Sequence, residues 1–114
     1  MAGITTHVLD TALGKPAEGV HVCLEVEHAP DQWLRLGHGH TDGDGRLRTL
    51  TPAGLTLLKS SYRLVFATGA YFEGQSRDAF FPSVIISFRV DDPSQHHHVP
   101  LLLSPFGYST YRGS

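Results

Sequence analysis

Apolar and polar positions alternate along most of this chain with a period of two. Val20, Val22, Leu24 and Val26 interleave with His21, Cys23, Glu25 and Glu27, the pattern of a strand with one buried face. Tyr62, Leu64 and Phe66 repeat it, as do Val84, Ile86, Phe88 and Val90 against Ser83, Ser87 and Arg89. Between these runs lie turn signals: Gly14-Lys15-Pro16, Ala29-Pro30-Asp31, Asp42-Gly43-Asp44-Gly45, Asp91-Asp92-Pro93-Ser94 and Ser104-Pro105,. The punctuation predicts strands near 4–10, 19–28, 32–41, 46–49, 61–67, 83–91, 95–103 and 106–112. Short strands at such spacing predict an all-β sandwich. The pattern fails between Thr68 and Asp78, where Tyr71, Phe72 and Gln75 share a helical face and predict a short helix. Thr51 to Ser60 is a second irregular stretch.

With 114 residues, the chain has the length of a single domain, 1–114, with one core. Nine Lys and Arg against eleven Asp and Glu give a net charge of −2, the wrong balance for general nucleic-acid binding. No apolar run approaches the length of a membrane span. No secretory leader is visible at residues 1–7, and one cysteine, Cys23, cannot form an internal disulfide. A cytoplasmic protein without nucleic-acid or membrane partners is the expectation.

Histidine changes the picture, with eight in the chain and three consecutive. Imidazole titrates near neutral pH and ligates metals. On a strand, His96 and His98 face one way while His97, Val99, Leu101 and Leu103 face the other. His38 and His40 repeat the H-x-H spacing, so four imidazoles would suit zinc or copper if the two strands met. Nothing local makes them neighbours, and no carboxylate or thiolate accompanies either pair. Asp42-Gly43-Asp44-Gly45 opens like a calcium loop, but Ala53 stands where the bidentate acid belongs,. It reads instead as a tight hairpin turn whose two glycines take positive φ, with Arg46 held just beyond. Cys23 reads as a packing or surface residue and not a nucleophile, and no serine lies in a nucleophile elbow. The end, Tyr108 to Ser114, keeps a strand pattern to the last residues and reads as tied down, against the domain or another subunit.

Four segments together resemble the 5-hydroxyisourate hydrolase family, the transthyretin-related enzymes of urate breakdown. They are Thr6-His7-Val8-Leu9-Asp10, Asp44-Gly45-Arg46, His96 through Pro105, and Tyr111-Arg112-Gly113-Ser114. The resemblance implies a sandwich of two four-stranded sheets with one short helix after the fifth strand. It implies a homotetramer, a dimer of dimers, with sites in the channel between dimers. It places function on His7, Arg46 and His98 as catalytic residues and on Tyr111, Arg112, Gly113 and Ser114 as substrate-binding residues. His96 also matches, and His97 faces away. The implied reaction needs neither metal nor other cofactor: water opens 5-hydroxyisourate at its N1–C6 bond. Transthyretin itself, a carrier with the same fold, resembles this chain less at those positions, with lysine at His7, glutamate at Arg46, threonine at His98 and a different end. A carrier of a small aromatic ligand and a His-rich metal-binding sandwich are the alternative readings.

Overall fold

The computed structural model describes residues 3–114. Strand β1, Gly3–Asp10, buries Ile4, Thr6, Val8 and Asp10 and turns Thr5, His7 and Leu9 outward, the alternation expected of a sheet with one face on the core. Next come β2 (Lys15–Pro16), β3 (His21–Ala29), β4 (Gln32–His40), β5 (Arg46–Leu47) and β6 (Ser60–Phe66). Helix α1 (Thr68–Glu73) precedes β7 (Val84–Val90), β8 (His96–Ser104) and β9 (Gly107–Thr110).

Two sheets form. One has the order β4-β3-β6-β7, and the other runs β2-β1-β8-β9 with β5 also on β1. The two-sheet sandwich with one helix is the expected fold. The second sheet has five strands instead of four because Lys15–Pro16, read as a turn, pairs with Leu9 and Asp10. The fourth predicted strand, 46–49, shrinks to Arg46–Leu47. The last one stops at Thr110 instead of reaching 112.

The Asp42–Gly45 turn is tight, as expected: Asp42 Oδ1 accepts the Asp44 and Arg46 N–H groups, each at 2.9 Å. It is not a hairpin, however. β4 lies in one sheet and β5 in the other, so this turn carries the chain across the sandwich. Only Gly45 of its two glycines has positive φ, at 77°. A Cβ there would come within 2.3 Å of the Val8 carbonyl, so glycine lets β5 close on β1.

Val8, Val22, Leu24, Leu64, Phe66 and Leu101 lie in the middle of one core, all fully buried. Asp10 is buried at the end of β1, where its carboxylate accepts hydrogen bonds from Arg77 Nη1 (2.7 Å) and the Tyr71 hydroxyl (2.8 Å). Burial pushes its pKa up, but the Arg77 and Tyr71 hydrogen bonds, the Leu13 N–H and the Arg77 charge outweigh it and hold the carboxyl below the usual range. This pair ties α1 and the segment after it to β1.

Breaking such a buried pair from one side costs about 3–5 kcal/mol. Asp10→Asn is therefore expected to lose stability of that order at neutral pH in denaturant titrations. Because the native pKa is depressed, the wild type's advantage is present above the unfolded-state pKa. It shrinks as pH falls through the native value. A deficit that stayed constant into acid would contradict the ion-pair account.

Candidate active site

The outward face of the five-stranded sheet gathers the reactive side chains, and strand register explains how. β1 and β8 run parallel, with Thr5 opposite His98 and Gly3 opposite His96. On its other edge β1 meets β5, with His7 opposite Arg46. Odd-numbered residues of β1 face outward, so Thr5 and His7 share a side with the even-numbered His96 and His98 of β8. His97 points inward and is buried, its Nδ1 3.0 Å from the Gln95 carbonyl, as expected.

Thr5 was not singled out by its sequence pattern, yet it occupies the centre of this group. Its Oγ1 lies 2.8 Å from His96 Nε2 and 2.8 Å from His98 Nδ1. A hydroxyl has one hydrogen, so it donates to one ring and accepts an N–H from the other. The signal for it was available: two residues before His7 on a strand is the same face.

His98 is half-buried, and burial lowers its pKa, with the positive charges of His96, Arg46 and His7 lowering it further. Neutral imidazole is thus its resting form at neutral pH. His7 Nε2 sits 2.8 Å from the Asp44 carbonyl oxygen. A carbonyl only accepts, so Nε2 carries the proton and Nδ1 of the neutral ring keeps a free lone pair.

A cleft of about 610 Å³ opens beside these groups, walled by Thr5, Arg46, Arg48, His96, His98 and Ser114. His7 lies next to Arg46 but outside the wall. The C-terminal tetrapeptide divides. Gly113 pairs with His98 outside the regular strands, its N–H donating to the His98 carbonyl at 2.8 Å. A Cβ on Gly113 would meet His98 Cδ2 at 2.6 Å, so only glycine lets the tail lie against that ring. Tyr111 and Arg112 instead line a second, more apolar cleft of about 240 Å³ with Ile86, Phe88 and Thr110. Arg112 Nη2 donates to Gln95 Oε1 at 3.0 Å. His97 and His98 line that second cleft too, so within one chain Ser114 lies on the first cleft, Gly113 against the His98 ring, and Tyr111 and Arg112 on the second cleft.

The two H-x-H pairs lie on different sheets, so the four-imidazole metal site imagined from spacing does not form. Among the described residues no group of three or more His, Cys, Asp or Glu is arranged around a metal position. No helix among them is long and apolar enough to cross a membrane.

The model of the HIUase/Transthyretin family matches residues 4–113. The chain belongs to that family. A 5-hydroxyisourate hydrolase of Salmonella typhimurium is 47% identical over 111 residues, covering 97% of this chain and 80% of that protein. The solved Klebsiella pneumoniae 5-hydroxyisourate hydrolase superposes with a TM-score of 0.84 at 38% identity, covering 100% of this chain and 94% of that one. Sea bream transthyretin, solved with thyroxine, gives 0.88 at 28% identity over 96% and 93%. The same fold thus occurs in a 5-hydroxyisourate hydrolase and in a transthyretin solved with thyroxine.

NMR titration of the His98 ring is expected to give a midpoint below that of an ordinary histidine. Arg46→Gln removes one of the charges opposing protonation, so the midpoint should rise while burial keeps it below normal. A midpoint that falls or stays fixed would show that Arg46 does not act on the ring.

Proposed function

We propose that this chain is a 5-hydroxyisourate hydrolase of purine breakdown, opening its substrate at the N1–C6 bond to give 2-oxo-4-hydroxy-4-carboxy-5-ureidoimidazoline. The observation that carries this reading is a neutral imidazole, His98, beside a guanidinium, Arg46, on one wall of a cleft large enough for a bicyclic purine derivative. The hydrolase name borne by relatives so similar over nearly the whole chain supports it.

The chemistry follows from the groups. Water must lose a proton as its oxygen bonds to C6. Neutral His98, with Nδ1 on Thr5, presents Nε2 as the base, and positioned base catalysis is typically worth ~10²–10⁴ in rate. Charge then develops on the C6 oxygen, and Arg46 stabilises it from a fixed position. Loss of a comparable preorganised donor typically costs ~10²–10³. As the C6–N1 bond breaks, N1 takes up a proton and becomes the ureido nitrogen, while C6 becomes the carboxylate. His7, with Nδ1 free, assists the proton handling. Ser114 bounds the cleft, Gly113 packs against His98, and Tyr111 and Arg112 act on substrate from a neighbouring subunit of a homotetramer. No cofactor enters this scheme. The exposed aromatics Phe80 and Phe106, 71% and 72% accessible, support an assembly that covers them,.

A carrier reading draws on the likeness to sea bream transthyretin. It expects tight, unreactive binding of an aromatic ligand in the same cleft.

The test generates hydroxyisourate in situ and follows its ultraviolet decay. His98→Ala and Arg46→Ala should each lower turnover by about two orders of magnitude or more while circular dichroism stays native; near-normal rates would sink the assignment. Thr5 is a positioning residue, so Thr5→Val should lower kcat more than it changes KM, and Thr5→Ser should restore it. The rate should rise with pH through the His98 pKa, on the acid side of an ordinary histidine, because the base acts unprotonated.

A further inference from the structure

Three histidines outside the proposed active site meet on the other sheet. His21 on β3 is opposite His40 on β4, and Cys23 is opposite His38. Val22 and Leu24, which alternate with these β3 residues, are fully buried in the core. His21, His38 and His40 therefore share the sheet's outward face, and β4 is its edge strand. Cβ atoms of directly opposed strand residues lie ~4.5–5.5 Å apart, so the three side chains spring from one small patch.

The rings are already in contact. The His21 ring centroid lies 5.3 Å from that of His38 and 4.9 Å from that of His40. His21 Nε2 and His38 Nδ1 are 3.2 Å apart. Two ligands ~2.0–2.1 Å from a tetrahedral zinc are separated by about the same distance, ~3.3–3.4 Å. The hydrogen-bonded pair thus has the spacing of two zinc ligands. The third ring is not yet aimed at their common point, consistent with the absence of a formed three-ligand cluster. His40 and His38 are exposed, so rotation about their side-chain bonds meets no packed wall. The carboxylates on this sheet are otherwise engaged: Glu25 is paired with Arg63 at 2.6 Å, and Glu27 accepts the Asp31 N–H at 2.9 Å. An all-imidazole set favours zinc-class ions over magnesium or calcium, which require oxygen ligands.

We propose that His21, His38 and His40 form a binding site for a divalent transition metal of the zinc class on the outer face of the four-stranded sheet. The fourth coordination position is open to solvent at the sheet edge. Cys23 lies on the same face opposite His38 but is buried, and the proposed ligand set is the three imidazoles. This site lies on a different sheet from the proposed active site and does not depend on the hydrolase reading.

The test titrates the full-length protein with Zn²⁺ alone by calorimetry at pH 7.5, with NMR of the histidine rings. One equivalent per chain is expected, with the His21, His38 and His40 ring signals shifting together. His21→Asn and His40→Asn should each weaken that equivalent at least about tenfold, while His98→Asn leaves it intact. Circular dichroism checks that the variants keep their fold. Either of two results overturns the proposal: no equivalent binding at ~100 μM Zn²⁺ or below, or an equivalent that survives in the His21→Asn/His40→Asn double variant.

Discussion

The parallel pairing of β1 with β8 is the constraint on which the rest depends. Eight consecutive positions pair, from Gly3 opposite His96 to Asp10 opposite Leu103. The register is fixed by burial: Ile4 and Val8 on β1 and Val99, Leu101 and Leu103 on β8 must all face the core. A slip of one residue would turn those side chains to water and bring the histidines inside. The core thus determines which imidazoles stand together, although none of them belongs to it. β5 uses the remaining edge of β1 for only two residues, enough to set Arg46 opposite His7.

Electrostatics at the two ends of β1 follow opposite rules. At one end Asp10 is buried among donors, which keep it ionised. At the other, His7, His96, His98 and Arg46 gather without a carboxylate among them, and burial first, then the neighbouring positive charges, lower the pKa of His98. A paired acid would instead stabilise the imidazolium. The same strand thus carries a paired, ionised acid at one end and adjoins an imidazole whose charged form is disfavoured at the other.

Much of this was legible in the residue pattern. Alternation assigned the faces of His96, His97 and His98 correctly, because two-residue periodicity is a local property of a strand. Pairing partners are not local. Nothing in Asp42 to Arg46 says that the chain changes sheets there, and the glycine-rich turn reads equally well as a hairpin. The end of β9 failed for a similar reason. Alternation continues through Tyr111 and Arg112, yet the strand stops at Thr110 and Gly113 returns to His98. Close approach of the His98 ring demands a residue without a Cβ, a requirement set by a neighbour fifteen positions earlier. Thr5 was missed because a hydroxyl has no distinctive pattern of its own; its importance comes only from standing between two imidazoles.

The two H-x-H pairs show how far spacing alone decides chemistry. Both put two imidazoles on one face of a strand, and the spacing is identical. What differs is the third participant supplied by the adjacent strand. Beside His96 and His98, β1 offers the Thr5 hydroxyl, which bonds both rings and is a poorer ligand than imidazole for zinc-class ions. Beside His38 and His40, β3 offers another imidazole, His21, at an open edge. The motif fixes a geometry of two nitrogens, and the neighbouring strand determines which third group those nitrogens meet.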